Sequence, residues 1–350
     1  MNIQFLLSQM GEKNASDLHV VAGVAPVYRI DGKLQAAKND DILTGKETRN
    51  LVYSLMTAEQ REEFEKTREL DFSYGIDGVG RFRVNAHYQR SSVAASIRMI
   101  PDKVPSLAEL SLPSILGQLA LKNDGLLLVT GPTGCGKSTT LACLVDIINR
   151  KKSVHIIIIE DPIEYLHSHQ KSVVEQREVG GDTLSFTASL KYALRQDPDV
   201  ILIAEMRDLE TISTAITAAE TGHLVMATLH TPDAAGAIDR ITDVFPSYQQ
   251  SQVRMQLASS LIGVVTQALL PREDKHGRIP AVEILICTPA VANLIRTGKT
   301  HQIFTSMQTG SQYGMQTMDQ ALQNLVKRRL ISMETALQRA RDPNKFKSFV

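Results

Sequence analysis

Residues Gly131-Pro132-Thr133-Gly134-Cys135-Gly136-Lys137-Ser138 fit the spacing G-x-x-x-x-G-K-[ST] and directly follow the apolar run Leu126-Leu127-Leu128-Val129-Thr130. No other stretch so restricts how the chain can fold, because the pattern works only as a buried strand, a tight loop and a helix in succession. The glycines let the backbone curl until successive N–H groups point into one concavity, which suits phosphate oxygens. Lys137 would neutralise the outer phosphates, Ser138 would hold Mg²⁺, and Thr139 completes the nucleotide-binding set that starts at Gly131. The helix expected over about Lys137 to Asn149 adds the positive end of its dipole to the same place. A merely flexible glycine loop leaves the Lys-Ser pair unexplained, so the segment reads as a site for a nucleoside triphosphate.

The 350 residues are 43% hydrophobic and 22% charged, enough for two domains with cores of their own. Lys plus Arg and Asp plus Glu each total 38, for a formal net charge of +0. A chain so balanced carries no global basic field to hold nucleic acid, and none is expected as a partner. Cys135, Cys143 and Cys287 are odd in number and lack C-x-x-C spacing, which speaks against a disulfide framework or a zinc site and fits a reducing compartment. No apolar run approaches the roughly 20 residues that cross a bilayer. The start Met1-Asn2-Ile3-Gln4-Phe5 has no cationic stretch before its apolar residues. The expected location is cytoplasmic, with any membrane reached through partners.

The first hundred residues alternate short strand-like runs, Asp17 to Val21, Pro26 to Ile30 and Gly80 to Tyr88, with helix-like segments Thr44 to Leu55 and Thr57 to Thr67. This pattern predicts a smaller α+β domain over 1–100. The segment Ile100-Pro101-Asp102-Lys103-Val104-Pro105-Ser106 interrupts regular structure and begins a linker over 101–112. From 113 to 350 apolar strands (Leu126 to Thr130, His155 to Glu160, Val200 to Glu205, Leu224 to Leu229) alternate with helical stretches (Ser138 to Asn149, Phe186 to Arg195, Leu209 to Ala219). Runs of Ile, Leu and Val with little alternation suit parallel strands covered on both faces, so the second domain is expected to be a doubly wound α/β fold. In such folds ligands sit at the carboxyl ends of the strands.

Chemistry-bearing residues fall at those ends. Ile156-Ile157-Ile158-Ile159 runs into Glu160-Asp161-Pro162-Ile163-Glu164, and Val200-Ile201-Leu202-Ile203-Ala204 into Glu205-Met206-Arg207-Asp208. Strand ends are also acidic simply because they meet water, and Glu160 fits either origin. Glu205, paired with the phosphate loop, is the candidate to polarise an attacking water or to order the Mg²⁺ shell through water. His223 and His230 bracket Leu224 to Leu229 at an odd spacing, on opposite faces of a regular strand, which argues against one shared metal. His230 leaves the carboxyl end, where it would donate to phosphate or register its loss; a satisfied core or surface histidine is the competing reading. Phosphoryl transfer also gains from an arginine that neutralises the departing charge. Arg81 and Arg83 share a strand face in the first domain, with Arg98 just before the linker, and fit either a solvated strand face or a role across a cleft. Cys135, beside a helix N-terminus, invites the expectation of a lowered thiol pKa and oxidation or alkylation that blocks the site; a small side chain standing where serine is usual is the plainer account.

Together these segments resemble the PilT family, the type IV pilus retraction ATPases of the secretion ATPase superfamily, almost from end to end. The resemblance is carried by Ala15-Ser16-Asp17-Leu18-His19, Tyr28-Arg29-Ile30-Asp31-Gly32, Arg81-Phe82-Arg83-Val84-Asn85 and Ile159-Glu160-Asp161-Pro162-Ile163-Glu164. It continues through Glu205-Met206-Arg207-Asp208-Leu209-Glu210-Thr211, the segments Thr221-Gly222-His223 and Thr228-Leu229-His230-Thr231, and Gly310-Ser311-Gln312-Tyr313-Gly314-Met315-Gln316-Thr317-Met318-Asp319. The resemblance implies a PAS-like domain followed by a RecA-like P-loop ATPase domain with a C-terminal helical region. It further implies a homo-hexameric ring that hydrolyses Mg-ATP bound between domains, with Arg81, Arg83 and Arg98 closing over the phosphates. The implied partner is an inner-membrane platform protein of the pilus machine, with the ring on that membrane's cytoplasmic face.

The chain departs from the family pattern at Cys135, at Gln196, at Ala204 where glycine usually precedes the acid, and at Ala292 and Thr297, where the retraction motif carries an arginine and a glutamate. Pilus retraction by ATP hydrolysis is the activity that the resemblance implies. A pilus assembly or type II secretion ATPase and a non-motor accessory paralogue are the alternatives.

Overall fold

Phe82, Val84 and Ala86 alternate with polar residues along Gly80–Gln89, and the strand they form buries all three. The computed structural model describes residues 2–37, 41–344 and 346. Met1, with which the expected first domain opens, and the final residues of the expected 113–350 domain lie outside the described residues. The chain divides into two units, Met1–Lys103 with Pro162–Leu166, and Val104–Asp161 with His167–Val350.

In the first unit six strands form one antiparallel sheet: β1 (Ala15–Val20), β2 (Val27–Ile30), β3 (Lys33–Ala36), β4 (Glu69–Ile76), β5 (Gly80–Gln89) and β6 (Ser92–Ile100), in the order β3-β2-β1-β6-β5-β4. Helices Ile3–Glu12, Gly45–Tyr53 and Ala58–Thr67 accompany it, and their apolar residues share a core with the sheet around Leu7, Met10, Tyr28, Phe64 and Phe82. The helices start where the sequence says they should. Thr44 accepts from the Glu47 N–H while Glu47 takes the Thr44 N–H, and Thr57 and Gln60 repeat this reciprocal cap, each cap contributing about 1 kcal/mol.

Among the described residues the second unit holds seven strands: β7 (Gly125–Thr130), β8 (His155–Glu160), β9 (Val173–Glu178), β10 (Val200–Ile203), β11 (Leu224–Leu229), β12 (Leu261–Pro271) and β13 (Arg278–Ile286), in the order β13-β12-β7-β11-β10-β8-β9. All neighbours pair in parallel except β12 and β13, an antiparallel hairpin at one edge. Successive residues of β7 feed opposite cores. Leu126 and Leu128 pack with Ile216, Ile238 and Leu257 of three helices on one face, while Leu127 and Val129 pack with Leu141 and Leu144 of helix Lys137–Lys151 on the other. Each such fully buried side chain is worth about 1.5–3 kcal/mol in apolar transfer, and this double covering explains the unbroken apolar runs. The α/β class stands; the sheet is mixed rather than wholly parallel. In the C-terminal region helices Pro289–Arg296 and Ile303–Thr309 pack on the main core, while Met318–Lys327 and Met333–Leu337 add a further small one, in which Leu322, Leu325 and Ile331 meet Leu270 and Ile279 of the hairpin.

Candidate nucleotide site

Because β11 and β10 lie between β7 and β8, four strand ends meet at one carboxyl edge. Leu229 is in register with Thr130, Ile203 with Ala227 and with Ile159. The phosphate loop leaves β7 there, His230 follows β11, Ala204 and Glu205 follow β10, and Glu160 ends β8.

The loop is built on backbone that only glycine tolerates. Gly131 has φ +133, and a Cβ there would stand 2.4 Å from the Gln267 carbonyl oxygen of β12. Gly136, at φ +92, turns the chain into helix Lys137–Lys151, whose N-terminus opens on the loop. Lys137 is buried, and its Nζ donates to the carbonyls of Gly131 at 2.8 Å and Pro132 at 3.1 Å. These bonds hold the ammonium at the loop, within reach of anything the loop amides bind.

Glu205 is half-buried. Arg207 Nη2 donates to its Oε2 at 2.6 Å, and His230 Nε2 lies 3.1 Å from its Oε1. The Arg207 hydrogen bond, with the charges of Arg207, His230 and Lys137, holds the carboxyl below the usual range against the opposing effect of burial. Glu205 is thus an ionised carboxylate at neutral pH, with His230 on one oxygen. Thr228 donates to the Ala204 carbonyl, fixing the β10 exit against β11. His223 stays at the other end of β11, against the Ala218 carbonyl at 3.0 Å, so the two histidines do not meet.

Glu160 faces a different space. Its carboxylate accepts from Gln176 Nε2 at 3.1 Å, and with Ser138, His167, Ala204 and Thr228 it lines a cavity of about 20 Å³. That is room for about one water. Burial pushes the His167 imidazole down to about 4, so it is neutral at physiological pH. On the opposite flank of the loop Cys135, Gly136, Thr139 and Thr140 line a more open cavity of about 180 Å³ with Gln267, Leu269, Arg272 and Arg278.

The expectation for Cys135 is corrected. Its thiol is buried, and burial pushes the pKa up despite the nearby Lys137 charge and the amides around it. Desolvation outweighs the helix terminus. Cys143 is likewise buried and Cys287 half-buried, and all three are free thiols.

Arg81, Arg83 and Arg98 belong to the first unit. Arg83 and Arg98 stand opposite each other across β5 and β6, with Arg81 two residues away on the same face. Arg98 pairs with Asp17 at 2.8 Å and Arg83 approaches Asp71 at 4.0 Å. Among the described residues no cluster of three or more His, Cys, Asp or Glu side chains is arranged to hold a metal, and no helix is long and apolar enough to cross a membrane. Mg²⁺ is compatible with this site, since it takes most of its ligands from phosphate and water and needs few from protein. The Ser138 hydroxyl and, through water, Glu205 are oxygen donors of the right kind.

Reasoning from sequence missed Arg207, His167 and Gln176 as parts of the site. Arg207 was legible as a cation two residues beyond the acid in one short loop. His167 and Gln176 carry no motif, and the strand that presents Gln176 is too polar to announce itself.

Residues 2–343 match the model of the type II/IV secretion system protein family. The chain is 48% identical over 346 residues to the type IV pilus retractation ATPase PilT of Pseudomonas aeruginosa, covering 99% of this chain and 100% of that protein. It is 44% identical to the type IV pilus ATPase PilU of the same organism, over 98% of this chain and 90% of PilU. The crystal structure of the pilus retraction motor PilT with bound ADP matches at a TM-score of 0.92 and 48% identity, covering 99% of each chain.

Proposed function

The chain belongs to the type II/IV secretion system protein family and is an ATPase, and from that premise we propose that it is the motor that retracts type IV pili. The observation that carries the chemistry is the meeting of Lys137, Ser138, Glu205 and His230 at one strand edge. ATP binds with its phosphates on the loop amides and Lys137, and its nucleoside lies in the cavity beside Cys135 and Gln267. Ser138 and, through water, Glu205 would hold Mg²⁺, which would supply neutralisation of phosphate charge. Glu205, kept ionised by Arg207, orients the attacking water, and His230 senses the γ-phosphate from its place against Glu205 Oε1. Glu160 holds a water in the small cavity behind Ser138.

Arg81, Arg83 and Arg98 supply the cations that neutralise the leaving phosphate, from the same chain or from a neighbour. We read the first unit as PAS-like, on its six-stranded antiparallel sheet with helices. The working form is a six-chain ring in the cytoplasm, docked on a platform protein of the inner membrane. A second reading, an accessory or assembly ATPase of the same family, is favoured by Ala292 and Thr297. Ala292 is an apolar side chain packed on the core, and Thr297 turns its hydroxyl back onto the Asn293 carbonyl. Neither offers a charge to a partner.

Replacing the gene with a Glu205→Gln copy separates these readings. The purified variant should retain ATP binding and lose at least 100-fold in turnover, as removal of a positioned general base or water-orienting carboxylate does. Alanine at any of the three arginines should lower kcat in the same assay. Cells carrying Glu205→Gln should keep surface pili in excess and lose twitching. Bald cells would point to assembly, unchanged motility to an accessory role, and full turnover in the variant would sink the assignment of Glu205.

A further inference from the structure

Gln176 belongs to β9, the polar edge strand, and is in register with Ile158 of β8, two residues before Glu160. Residues two apart on a strand share a face, so its side chain and that of Glu160 rise from the same side of the sheet. Its amide is used at both ends. The Oε1 accepts from the backbone N–H of His167 at 2.9 Å, and the Nε2 donates to Glu160 Oε2 at 3.1 Å. The first bond fixes which way the amide points, so the second must be a donor aimed at the carboxylate. Glu160 and His167 both line the water-sized cavity that also contains Ser138. One side chain therefore ties a wall of that cavity to the carboxylate that opens on it.

We propose that Gln176 is a positioning residue for hydrolysis, holding the Glu160 carboxylate towards the water cavity behind Ser138 through its oriented amide donor. This rests on the role given to Glu160 above. Among the described residues, the charged and titratable groups around the pair include Glu178, in register with Glu160, Asp161 next to it in the chain, His167, and Asp146, whose charge reaches His167 from helix Lys137–Lys151. At the neighbouring strand end lies Glu205, with Lys137 at the start of the phosphate-loop helix acting on it. His167 remains neutral between pH 6 and 8.5, so it adds no charge that changes over that range.

Gln176→Glu keeps an acceptor for the His167 N–H and replaces the donor with a second carboxylate. Two adjacent carboxylates repel, and one takes up a proton at a higher pH than it would alone. The shared proton then restores both the bond and the original net charge. Steady-state hydrolysis of Mg-ATP by the full-length chain should fall about tenfold at pH 8.5 with KM within twofold, and activity relative to the unsubstituted chain should recover as the pH falls to 6. Gln176→Met, which removes both bonds and adds no charge, should stay low at every pH; it decides the matter if the charged variant does not fold. In a Glu160→Gln background, Gln176→Glu should add no pH-dependent loss. A flat relative profile for Gln176→Glu, or full activity in Gln176→Met, overturns the role of Gln176 while leaving Glu160 in place. Full turnover in Glu160→Gln alone overturns the reading of Glu160 and this proposal with it.

Discussion

Cys135 stands one residue before the glycine that turns into the phosphate-loop helix, where a thiolate would be favoured, yet the β12 backbone and the loop bury it. Burial raises its pKa, so the reactive form grows only as the pH climbs above the usual thiol range. Iodoacetamide should label Cys135 at pH 7 at least tenfold more slowly than free glutathione, with the rate still rising beyond pH 9. Mass spectrometry of the tryptic peptide reads both, and labelling as fast as glutathione at pH 7 would refute the desolvation argument. Sequence alone places the thiol near the helix dipole, because both are local; the strand that covers it arrives more than a hundred residues later. The same limit applies to Glu205 and His230. Each is legible as a candidate from its strand end, but their pairing depends on β10 and β11 being neighbours, which no local pattern encodes.

At the scale of elements, the β12–β13 hairpin does more than close an edge. Glu283, buried on β13, accepts from the Ala234 N–H at 2.9 Å and the Met318 N–H at 3.3 Å, at the first residues of two helices. One carboxylate thus joins the helix that follows the His230 loop to helix Met318–Lys327 of the C-terminal region. Burial raises its pKa, and the two N–H donors work against that rise. Glu283→Gln would turn an amide donor towards one of these N–H groups, and the orphaned donor should cost about 1–3 kcal/mol, read as a lower urea midpoint. An unchanged midpoint would mean that the two helices do not depend on this tie. The hairpin itself was hidden in the sequence. Helix Ser247–Ser260 passes into β12 without a glycine or proline between them, so its end carries none of the usual punctuation. Strand β9 was hidden for the opposite reason, since Glu175, Gln176, Arg177 and Glu178 make it look like a loop. The strands covered on both faces were the readable ones, because burial on two sides leaves a run of Ile, Leu and Val that no surface segment has.

Across the whole molecule, the order β12-β7-β11 gives the strand that leads into the phosphate loop two neighbours that both follow it in the chain. Neither its apolar flanks nor the carbonyl that packs on Gly131 exists until those later strands are in place. A chain truncated after residue 220 should bind no fluorescent ATP analogue, whereas the full chain should bind it; tight binding by the truncated chain would show the loop to be self-sufficient. The same order carries a consequence for a growing polypeptide. Lys137 and Ser138 leave the ribosome well before β11 and β12, and pairings so distant in sequence form late. The nascent chain should therefore pass through a long interval with its nucleotide motif translated but unframed by β11 and β12. By the proposed reading it should gain the ability to hold ATP only after the edge assigned to the γ-phosphate has been synthesised, so a half-made motor should be silent.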